Sequence, residues 1–260
     1  MNHTVAFLSA LLLCGGSLVA AADTPAYQPE DGAKAETSKK LVWSFKPDPS
    51  LPNVLILGDS ISIGYTLRVR ELLRGRANVF RPVSPDGAKP VNCEGTTLGV
   101  QQIDRWLAGR AWSVIHFNWG LHDLKHVIKA GTSQNSDRPD DPVQASVEAY
   151  RRNLTAIVRQ LQATGARLIF ATTTPVAPGT INPLREVEAP ARYNAAALRI
   201  MKTKGISVDD LYATCESSLT KWQLPRNVHF TPEGSAALAR QAAAAIEAAL
   251  PPTAGRSTLR

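Results

Sequence analysis

The chain has 260 residues, of which 44% are hydrophobic and 20% are charged, and its formal net charge is +7 at pH 7. This composition excludes collagen-like, disordered and coiled-coil proteins and suits one sizeable α/β domain. The balance is basic, but no run of Lys and Arg reaches the roughly five to eight residues of a nucleic-acid patch. We therefore expect a solvated basic surface and no nucleic-acid partner.

The N-terminus carries a targeting pattern. Residues 5–20 are apolar and run into Ala20-Ala21-Ala22, which is typical of a secretory cleavage site. We predict a signal peptide over residues 1–22, a periplasmic or secreted location, and no stable membrane insertion after cleavage. An uncleaved anchor is the alternative, because Met1-Asn2-His3 supplies no Lys or Arg.

The rest of the chain divides into three predicted parts. Residues 23–50 are polar and contain prolines, which is typical of a linker or surface wrap, with Val42-Trp43-Ser44-Phe45 docking on the domain. Residues 51–252 form the folded domain, and residues 253–260 form a tail.

Strand and helix patterns alternate within the domain. Short apolar runs typical of buried parallel strands begin at Val54, Val79, Val114, Leu168 and Ile206. Helical patterns fall between them, at Ile61–Leu73, Gly99–Leu107, Val143–Leu161, Ala191–Met201 and Thr231–Leu250. This alternation predicts a parallel sheet covered by helices on both faces, with ligands bound outside the carboxyl ends of the strands.

A candidate nucleophile follows the first strand directly, in Gly58-Asp59-Ser60. A strand–turn–helix junction exposes a serine hydroxyl and leaves backbone N–H groups free to receive an oxyanion. The structural alternative is a plain turn with a helix cap, since Asp-Ser is good cap chemistry. The G-x-S-x-G elbow is absent here, which disfavours the α/β-hydrolase fold.

A candidate general base precedes the last helix. His229 lies in Asn227-Val228-His229-Phe230-Thr231-Pro232-Glu233-Gly234. Histidine titrates near neutrality and can take a proton from a serine hydroxyl. We expect Ser60 and His229 to meet at the same edge of the sheet.

Four blocks in this order resemble the SGNH (GDSL-type) hydrolases, which are named for Ser, Gly, Asn and His. Gly58-Asp59-Ser60 and the phrase around His229 match the first and last blocks. Asn92-Cys93-Glu94-Gly95 is similar to the second, and Gly120-Leu121-His122-Asp123 is similar to the third, normally Gly-x-Asn-Asp. The resemblance implies a three-layer α/β/α sandwich with a central parallel sheet and a flavodoxin-like topology.

The resemblance also implies roles for these residues. Ser60 would attack an ester carbonyl, and His229 would take its proton. The N–H groups of Ser60 and Gly95, with a donor from His122, would hold the oxyanion. We also expect Asp59 and Asp123 to support the site, and the alternative is that they only make structural hydrogen bonds to turn N–H groups.

Two positions depart from the family pattern. His122 stands where the family has Asn, and a neutral imidazole donates only one N–H. Arg226 stands where the family places the triad Asp, three residues before His229. We therefore expect a Ser60–His229 dyad with a backbone carbonyl orienting the imidazole. The sequence leaves the triad acid open, with Asp209 and Asp210 as further acids near strand ends.

A zinc site is the rival interpretation. His122 and His126 have the H-x-x-x-H spacing of a helical metal site, with Asp123 as base, but no third ligand is signalled. We expect no metal or cofactor, a surface position for His126, and a buried strand position with a satisfied N–H for His116. Substrate loops are predicted in two segments, 128–141 and 177–191, although the first also suits a disordered surface loop.

These observations predict an exported serine esterase that acts on a small-molecule or polysaccharide ester, with carbohydrate O-acetyl groups as the expected substrate. The alternatives are a lysophospholipase or thioesterase, and a catalytically degenerate glycan-binding domain. The oligomeric state stays open, as does the pairing of Cys93 with Cys215, which an exported compartment permits.

Overall fold

The computed structural model describes residues 43–180 and 182–252. Five parallel strands form one sheet in the order β2-β1-β3-β4-β5. They are β1 (Asn53–Leu57), β2 (Asn78–Phe80), β3 (Val114–Phe117), β4 (Arg167–Ala171) and β5 (Ser207–Asp209). Leu57, Phe117 and Phe170 lie in register across β1, β3 and β4, so these strands end at one edge.

Seven helices lie in the described part of the chain. They are α1 (Ser60–Leu72), α2 (Thr96–Leu107), α3 (Val147–Ala163), α4 (Ala189–Lys204), α5 (Leu211–Glu216), α6 (Leu219–Trp222) and α7 (Pro232–Ala249). The predicted cap of the last helix is present, since the Thr231 hydroxyl accepts a hydrogen bond from the N–H of Gly234 at 3.1 Å. Among the described helices, none has the length and apolarity needed to cross a bilayer.

The helices form two packed groups, α1 with α7, and α3 with both α2 and α4. Between them, β3 is buried along its whole length and β1 and β4 are buried over four of five residues. Aromatic side chains fill the centre, with the Phe117 and Phe170 rings 5.5 Å apart and Trp119 fully buried. The predicted three-layer α/β/α sandwich with a central parallel sheet is confirmed.

One predicted helix boundary was wrong, and two short helices were missed. The helix predicted from Val143 begins at Val147 instead, because Ser146 caps it and Val143 pairs with His126 in an isolated bridge. The short helices α5 and α6 were not predicted, since neither is long enough to show a helical repeat. Residues 128–141 form a loop, and an isolated bridge between Val127 and Asn135 joins it to the segment that precedes it.

The two cysteines of the domain are unpaired. Cys93 and Cys215 are both buried free thiols, so the disulfide alternative is not seen. Burial raises the pKa of both thiols, that of Cys215 to about 12. Neither is suited to act as a thiolate nucleophile.

The start of the described chain contacts the domain at the sheet edge. The Phe45 ring lies 4.9 Å from that of Phe80, and the Arg70 guanidinium lies 4.2 Å above the Phe45 ring. The signal peptide over residues 1–22, the linker up to residue 42, and the tail over residues 253–260 lie outside the described residues.

Candidate active site

Ser60 lies at the junction between β1 and α1, as the first residue of the helix. The Asp59 carboxylate caps this helix by accepting a hydrogen bond from the N–H of Ile61 at 2.9 Å. Burial raises the pKa of Asp59, although nearby N–H groups and the charges of Arg185 and Arg81 oppose this. Asp59 therefore has the structural role of shaping the turn that presents Ser60.

The structure brings Ser60 and His229 together across 169 positions of sequence. His229 Nε2 lies 2.8 Å from Ser60 Oγ, and both side chains are partly exposed. A hydroxyl and an imidazole therefore share a hydrogen bond at a position that solvent can reach. This is the geometry that a general base needs in order to activate a serine.

Asn227 orients the imidazole, which is a correction to the expected backbone carbonyl. Its Oδ1 accepts hydrogen bonds from His229 Nδ1 at 2.8 Å and from the His229 backbone N–H at 3.0 Å. An amide oxygen only accepts, so Nδ1 carries the proton and Nε2 faces Ser60 with its lone pair. Arg226 turns away instead, with φ of 54° and Nε donating to the Gly179 carbonyl. The sequence signal for Asn227 was its place two residues before His229.

His229 is set up to remain neutral. Burial lowers its pKa, and the positive charge of Arg185 lowers it further. Because a general base must be unprotonated to accept a proton, these two effects favour the reactive form at neutral pH.

Arg81, which the sequence analysis missed, forms hydrogen bonds with the turn that carries Ser60. Its Nη2 donates to the Gly58 carbonyl at 2.5 Å and its Nη1 donates to Ser62 Oγ at 2.7 Å. Nε and Nη2 also donate to the Val91 carbonyl at 3.2 and 3.0 Å. One buried guanidinium thus ties the turn before Ser60 to the segment that leads to Gly95. No sequence signal marked this arginine.

Two backbone N–H groups are free at the site. Within the described chain, no acceptor takes the N–H of Ser60 or that of Gly95. Gly95 directly precedes α2, so its N–H adds to the positive end of that helix. Free N–H groups at a helix start are suited to stabilise an oxyanion.

Gly95 has a packing reason to be glycine. Its φ of −90° is open to any residue, but a Cβ there would lie 3.3 Å from both Asp123 Oδ1 and Gln144 Nε2. The same carboxylate oxygen accepts hydrogen bonds from the Thr96 N–H at 2.9 Å and the Thr96 hydroxyl at 2.5 Å. Asp123 therefore holds the start of α2 in place. A triad acid must contact the imidazole of the general base, and Asp123 makes no contact with His229.

Asp123 is also an unusual carboxyl group. It is fully buried, its Oδ2 has no hydrogen-bond partner in the described residues, and burial raises its pKa to about 7. Gln144 Oε1 is likewise buried without a partner. This part of the site holds polar atoms that the described protein does not satisfy.

His122 also lies on the oxyanion side of the site, and it is itself partly exposed. Burial of its ring, with the charges of Lys125 and Arg185 nearby, lowers its pKa to about 3. The imidazole is therefore neutral at pH 7 and carries one proton. Nδ1 is buried without a partner in the described chain, so an oxyanion role requires the proton on Nε2.

The geometry disagrees with the rival zinc site. His122 and His126 do not share a helix, because residues 121–124 form turns and His126 lies in a β-bridge. His126 is buried rather than on the surface, and its Nδ1 lies 2.7 Å from the Asp141 carbonyl. In the ranges that the structure describes, His, Cys, Asp and Glu side chains form no group of three that could hold a metal ion.

The remaining candidate residues lie away from the reacting pair. His116 is buried on β3 as predicted, with Nε2 2.9 Å from Asp209 Oδ2, although its Nδ1 has no partner among described residues. Asp210 accepts from the Thr172 hydroxyl at 2.8 Å and caps α5. Neither aspartate contacts His229.

Comparison with known proteins adds to this geometry. Residues 56–237 match the GDSL-like Lipase/Acylhydrolase family. No curated protein matches the sequence. Among solved structures, the fold is similar to the acetyl xylan esterase AlAXEase, with 12% identity, a TM-score of 0.57, and coverage of 75% of this chain and 99% of that one.

Two further structures share the fold. The lipase/acylhydrolase from Enterococcus faecalis is 18% identical, with a TM-score of 0.59 and coverage of 77% of this chain and 98% of that one. A catalytic mutant of Axe2, an acetylxylan esterase from Geobacillus stearothermophilus, is 16% identical, with a TM-score of 0.58 and coverage of 75% and 93%.

Proposed function

This chain belongs to the GDSL-like lipase/acylhydrolase family and is a serine ester hydrolase, and we propose that it is exported and removes short acyl groups from carbohydrate. The observation that carries the proposed mechanism is the Ser60–His229–Asn227 chain of hydrogen bonds, with 2.8 Å at each side-chain step.

In this mechanism, His229 Nε2 takes the proton of Ser60 as Oγ attacks the ester carbonyl. The tetrahedral oxyanion is stabilised by the free N–H groups of Ser60 and Gly95, with His122 as a third donor. His229 then protonates the leaving alcohol and an acyl-enzyme remains on Ser60. Water, activated by the same imidazole, releases the acid and restores the serine.

In a catalytic triad the partner of the histidine is a charged carboxylate, whereas here the partner of His229 is the neutral amide of Asn227. An amide oxygen fixes the imidazole tautomer as a carboxylate does, but it stabilises the imidazolium less. The site therefore has the orientation of a triad with weaker electrostatic support for the charged histidine.

Two considerations support a short acyl group and a sugar alcohol. Two of the structurally similar proteins are named as acetylxylan esterases. Two cavities of about 690 and 510 Å³ have neither Ser60 nor His229 in their lining, so a long acyl chain bound in either would not place its ester at the reacting pair. A lysophospholipase or thioesterase would need such a groove beside the serine.

The test compares hydrolysis of 4-nitrophenyl acetate and 4-nitrophenyl octanoate, followed by acetate release from O-acetylated oligosaccharides. We expect faster turnover of acetate, and loss of turnover in Ser60→Ala and His229→Ala by about 10³-fold or more. Ser235→Ala, a serine near the start of α7, is the matched control. A strong octanoate preference would contradict the short acyl group, and inhibition by chelators would favour metal-dependent hydrolysis.

Export is the remaining part of the proposal. It is supported by the apolar run over residues 5–20 and the alanines that follow it. Expression of the full chain, with intact-mass measurement of the periplasmic or extracellular protein, is expected to give a chain that begins at Asp23. A product that keeps its first 22 residues would favour the uncleaved anchor.

A further inference from the structure

Arg185 lies in one of the predicted substrate loops and is anchored beside the oxyanion side of the site. Its Nε donates to the Leu121 carbonyl at 2.9 Å, and Leu121 directly precedes His122. The neighbouring Leu184 carbonyl accepts from the His126 N–H at 2.9 Å. The loop after β4 is therefore packed against the loop after β3, with the guanidinium plane fixed at one edge.

The outer edge of this guanidinium has no hydrogen-bond partner among the described residues. Arg185 is only 8% exposed, yet no acceptor in the described residues takes a hydrogen bond from Nη1 or Nη2. No carboxylate of the described chain lies within ion-pair distance of it either. Neither terminal nitrogen is among the buried atoms that lack a hydrogen-bond partner, so both reach solvent, and an acceptor supplied from outside the protein can bind them. The charge of Asp59 is near enough to act on the guanidinium but forms no hydrogen bond with it.

The second buried arginine of the site shows the contrast. Arg81 is 5% exposed, and each of its three side-chain nitrogens donates to a described acceptor. Arg81 is a structural clamp, whereas Arg185 keeps a free donor fork. A planar fork of two N–H groups matches the two oxygens of a carboxylate.

The charge of Arg185 acts on the groups around the reacting serine. After burial, it is the main influence that lowers the pKa of His229, and it also lowers the pKa of His122 and opposes the raised pKa of Asp59. Burial lowers the pKa of Arg185 itself to about 10, so it stays protonated at neutral pH. A third buried cation, Lys125, donates a hydrogen bond to Asn135 Oδ1 at 2.8 Å.

We infer that the Arg185 guanidinium binds a carboxylate of the substrate, next to the ester that Ser60 attacks. The preferred substrate class is then an acyl ester whose acid or alcohol part is itself anionic, such as an O-acetylated uronic acid residue. A neutral ester offers this fork no charged acceptor and leaves it to water. This inference rests on the proposed function and narrows it to acidic substrates.

Two pairs of esters locate the carboxylate. An O-acetylated methyl glucuronide and the corresponding methyl glucoside differ on the alcohol side, and 4-nitrophenyl hemisuccinate and 4-nitrophenyl pentanoate differ on the acyl side. We expect wild-type kcat/KM to favour the anionic member of one pair by roughly tenfold to a hundredfold, as for a charge-assisted hydrogen-bonded pair. The pair that shows the preference identifies the side that carries the carboxylate.

Arg185→Gln is expected to remove this preference, with most of the change in KM for the anionic ester. Arg185→Lys keeps the positive charge but lacks the planar fork, and we expect it to retain part of the preference for the anionic ester. This partial retention would show that the loss in Arg185→Gln is not caused by a folding defect. Arg152→Gln is the matched control, since Arg152 is exposed on α3 and pairs with Glu148.

Several results would overturn the inference. One is a wild-type enzyme without preference in either pair. Another is a loss in Arg185→Gln that is equal for charged and neutral esters, because this would place Arg185 in the reaction or the fold. If no ester is hydrolysed at all, the proposed function fails, and binding of methyl glucuronide to Ser60→Ala protein still tests the subsite. Binding that Arg185→Gln abolishes supports it, and absence of binding overturns it.

Discussion

The two sides of the candidate active site differ in how fully their polar groups are satisfied. On the nucleophile side, Arg81 and Asp59 bond to the turn around Ser60, and the Cys93 N–H donates to the Gly58 carbonyl at 3.1 Å. On the oxyanion side, the described residues leave three buried polar atoms without a hydrogen-bond partner: His122 Nδ1, Asp123 Oδ2 and Gln144 Oε1.

This difference separates rigid support from ligand binding. A nucleophile must be held in one geometry, and a complete set of hydrogen bonds achieves this. Unsatisfied buried groups are retained in folded proteins mainly where a ligand, water or proton completes them. This difference supports the proposal that substrate is recognised on the oxyanion side, beside the Arg185 fork.

The largest expected effect comes from Arg81→Met, which removes hydrogen bonds on the nucleophile side of the site. Removing the guanidinium leaves the Val91 carbonyl without a donor and the Gly58 carbonyl with only the Cys93 N–H, and we expect a loss of about 3–5 kcal/mol in the free energy of unfolding. We also expect kcat to fall by about 10²-fold with little change in KM, because the turn that presents Ser60 loosens.

Arg81→Lys is the control, and it should recover part of kcat. Denaturant titration measures the free energy of unfolding. Steady-state kinetics, at a temperature where the variant is folded, measure kcat and KM. A folded Arg81→Met enzyme with wild-type kcat would show that the clamp does not position Ser60.

A smaller effect is expected from Asp123→Asn, which removes the ionisable carboxyl group on the oxyanion side of the site. The raised pKa of Asp123 means that the folded state holds its proton more tightly than the unfolded state. Wild-type stability from this group is therefore present below about pH 4 and is lost as pH rises toward 7. Asn keeps an oxygen for Thr96 and cannot ionise, so it should remove up to about 4 kcal/mol of this pH dependence.

Urea titrations of both proteins between pH 4 and pH 8 measure the difference. Asp209→Asn and Asp86→Asn serve as buried and exposed comparisons. Parallel stability curves for wild type and Asp123→Asn would contradict a carboxyl group that titrates within this range.

Asn227→Asp should move the pH dependence of catalysis. In the wild type, burial and Arg185 lower the pKa of His229, so the acid limb of kcat/KM lies below 6.5, the ordinary value for histidine. A carboxylate beside Nδ1 favours the imidazolium and raises this pKa, so the limb should shift upward by about one pH unit.

Asn92→Asp makes the same charge change in the loop before Gly95, where the Asn92 side chain accepts from the Glu94 N–H at 2.9 Å. It should leave the acid limb nearly in place. An unshifted limb in Asn227→Asp would mean that His229 is not the titrating base.

The smallest effect is expected from His122→Asn. An amide can donate to the oxyanion without depending on a tautomer, and it removes the buried, unpartnered Nδ1. We expect kcat to rise severalfold, up to about tenfold. His126→Asn is the control on the same loop, and a fall in kcat for His122→Asn would show that the imidazole has a role that an amide does not replace.

The fold was predictable because its elements carry strong periodic patterns. The buried run in β1 and the repeat along α3 specify a strand and a helix without tertiary information. The helices α5 and α6 are six and four residues long, too short for any repeat to show. Val143 fits the repeat of α3 but lies outside it, because tertiary pairing with His126 prevails over local pattern.

The candidate site was predictable only in part, for a related reason. Motif order placed Ser60 and His229 at one sheet edge, and their side chains lie within hydrogen-bonding distance. Asn227 was missed as the partner of His229 because side-chain direction in a loop depends on local backbone torsions. Arg81 and the burial of His126 were missed because both follow from contacts between segments that are distant in sequence.

The most direct test of the account is reaction of the purified protein with a fluorophosphonate, followed by peptide mapping of the adduct. The mechanism predicts one adduct on Ser60, absent in Ser60→Ala and formed at least about 10²-fold more slowly in His229→Ala. An adduct on another residue, or labelling that persists in Ser60→Ala, would contradict it.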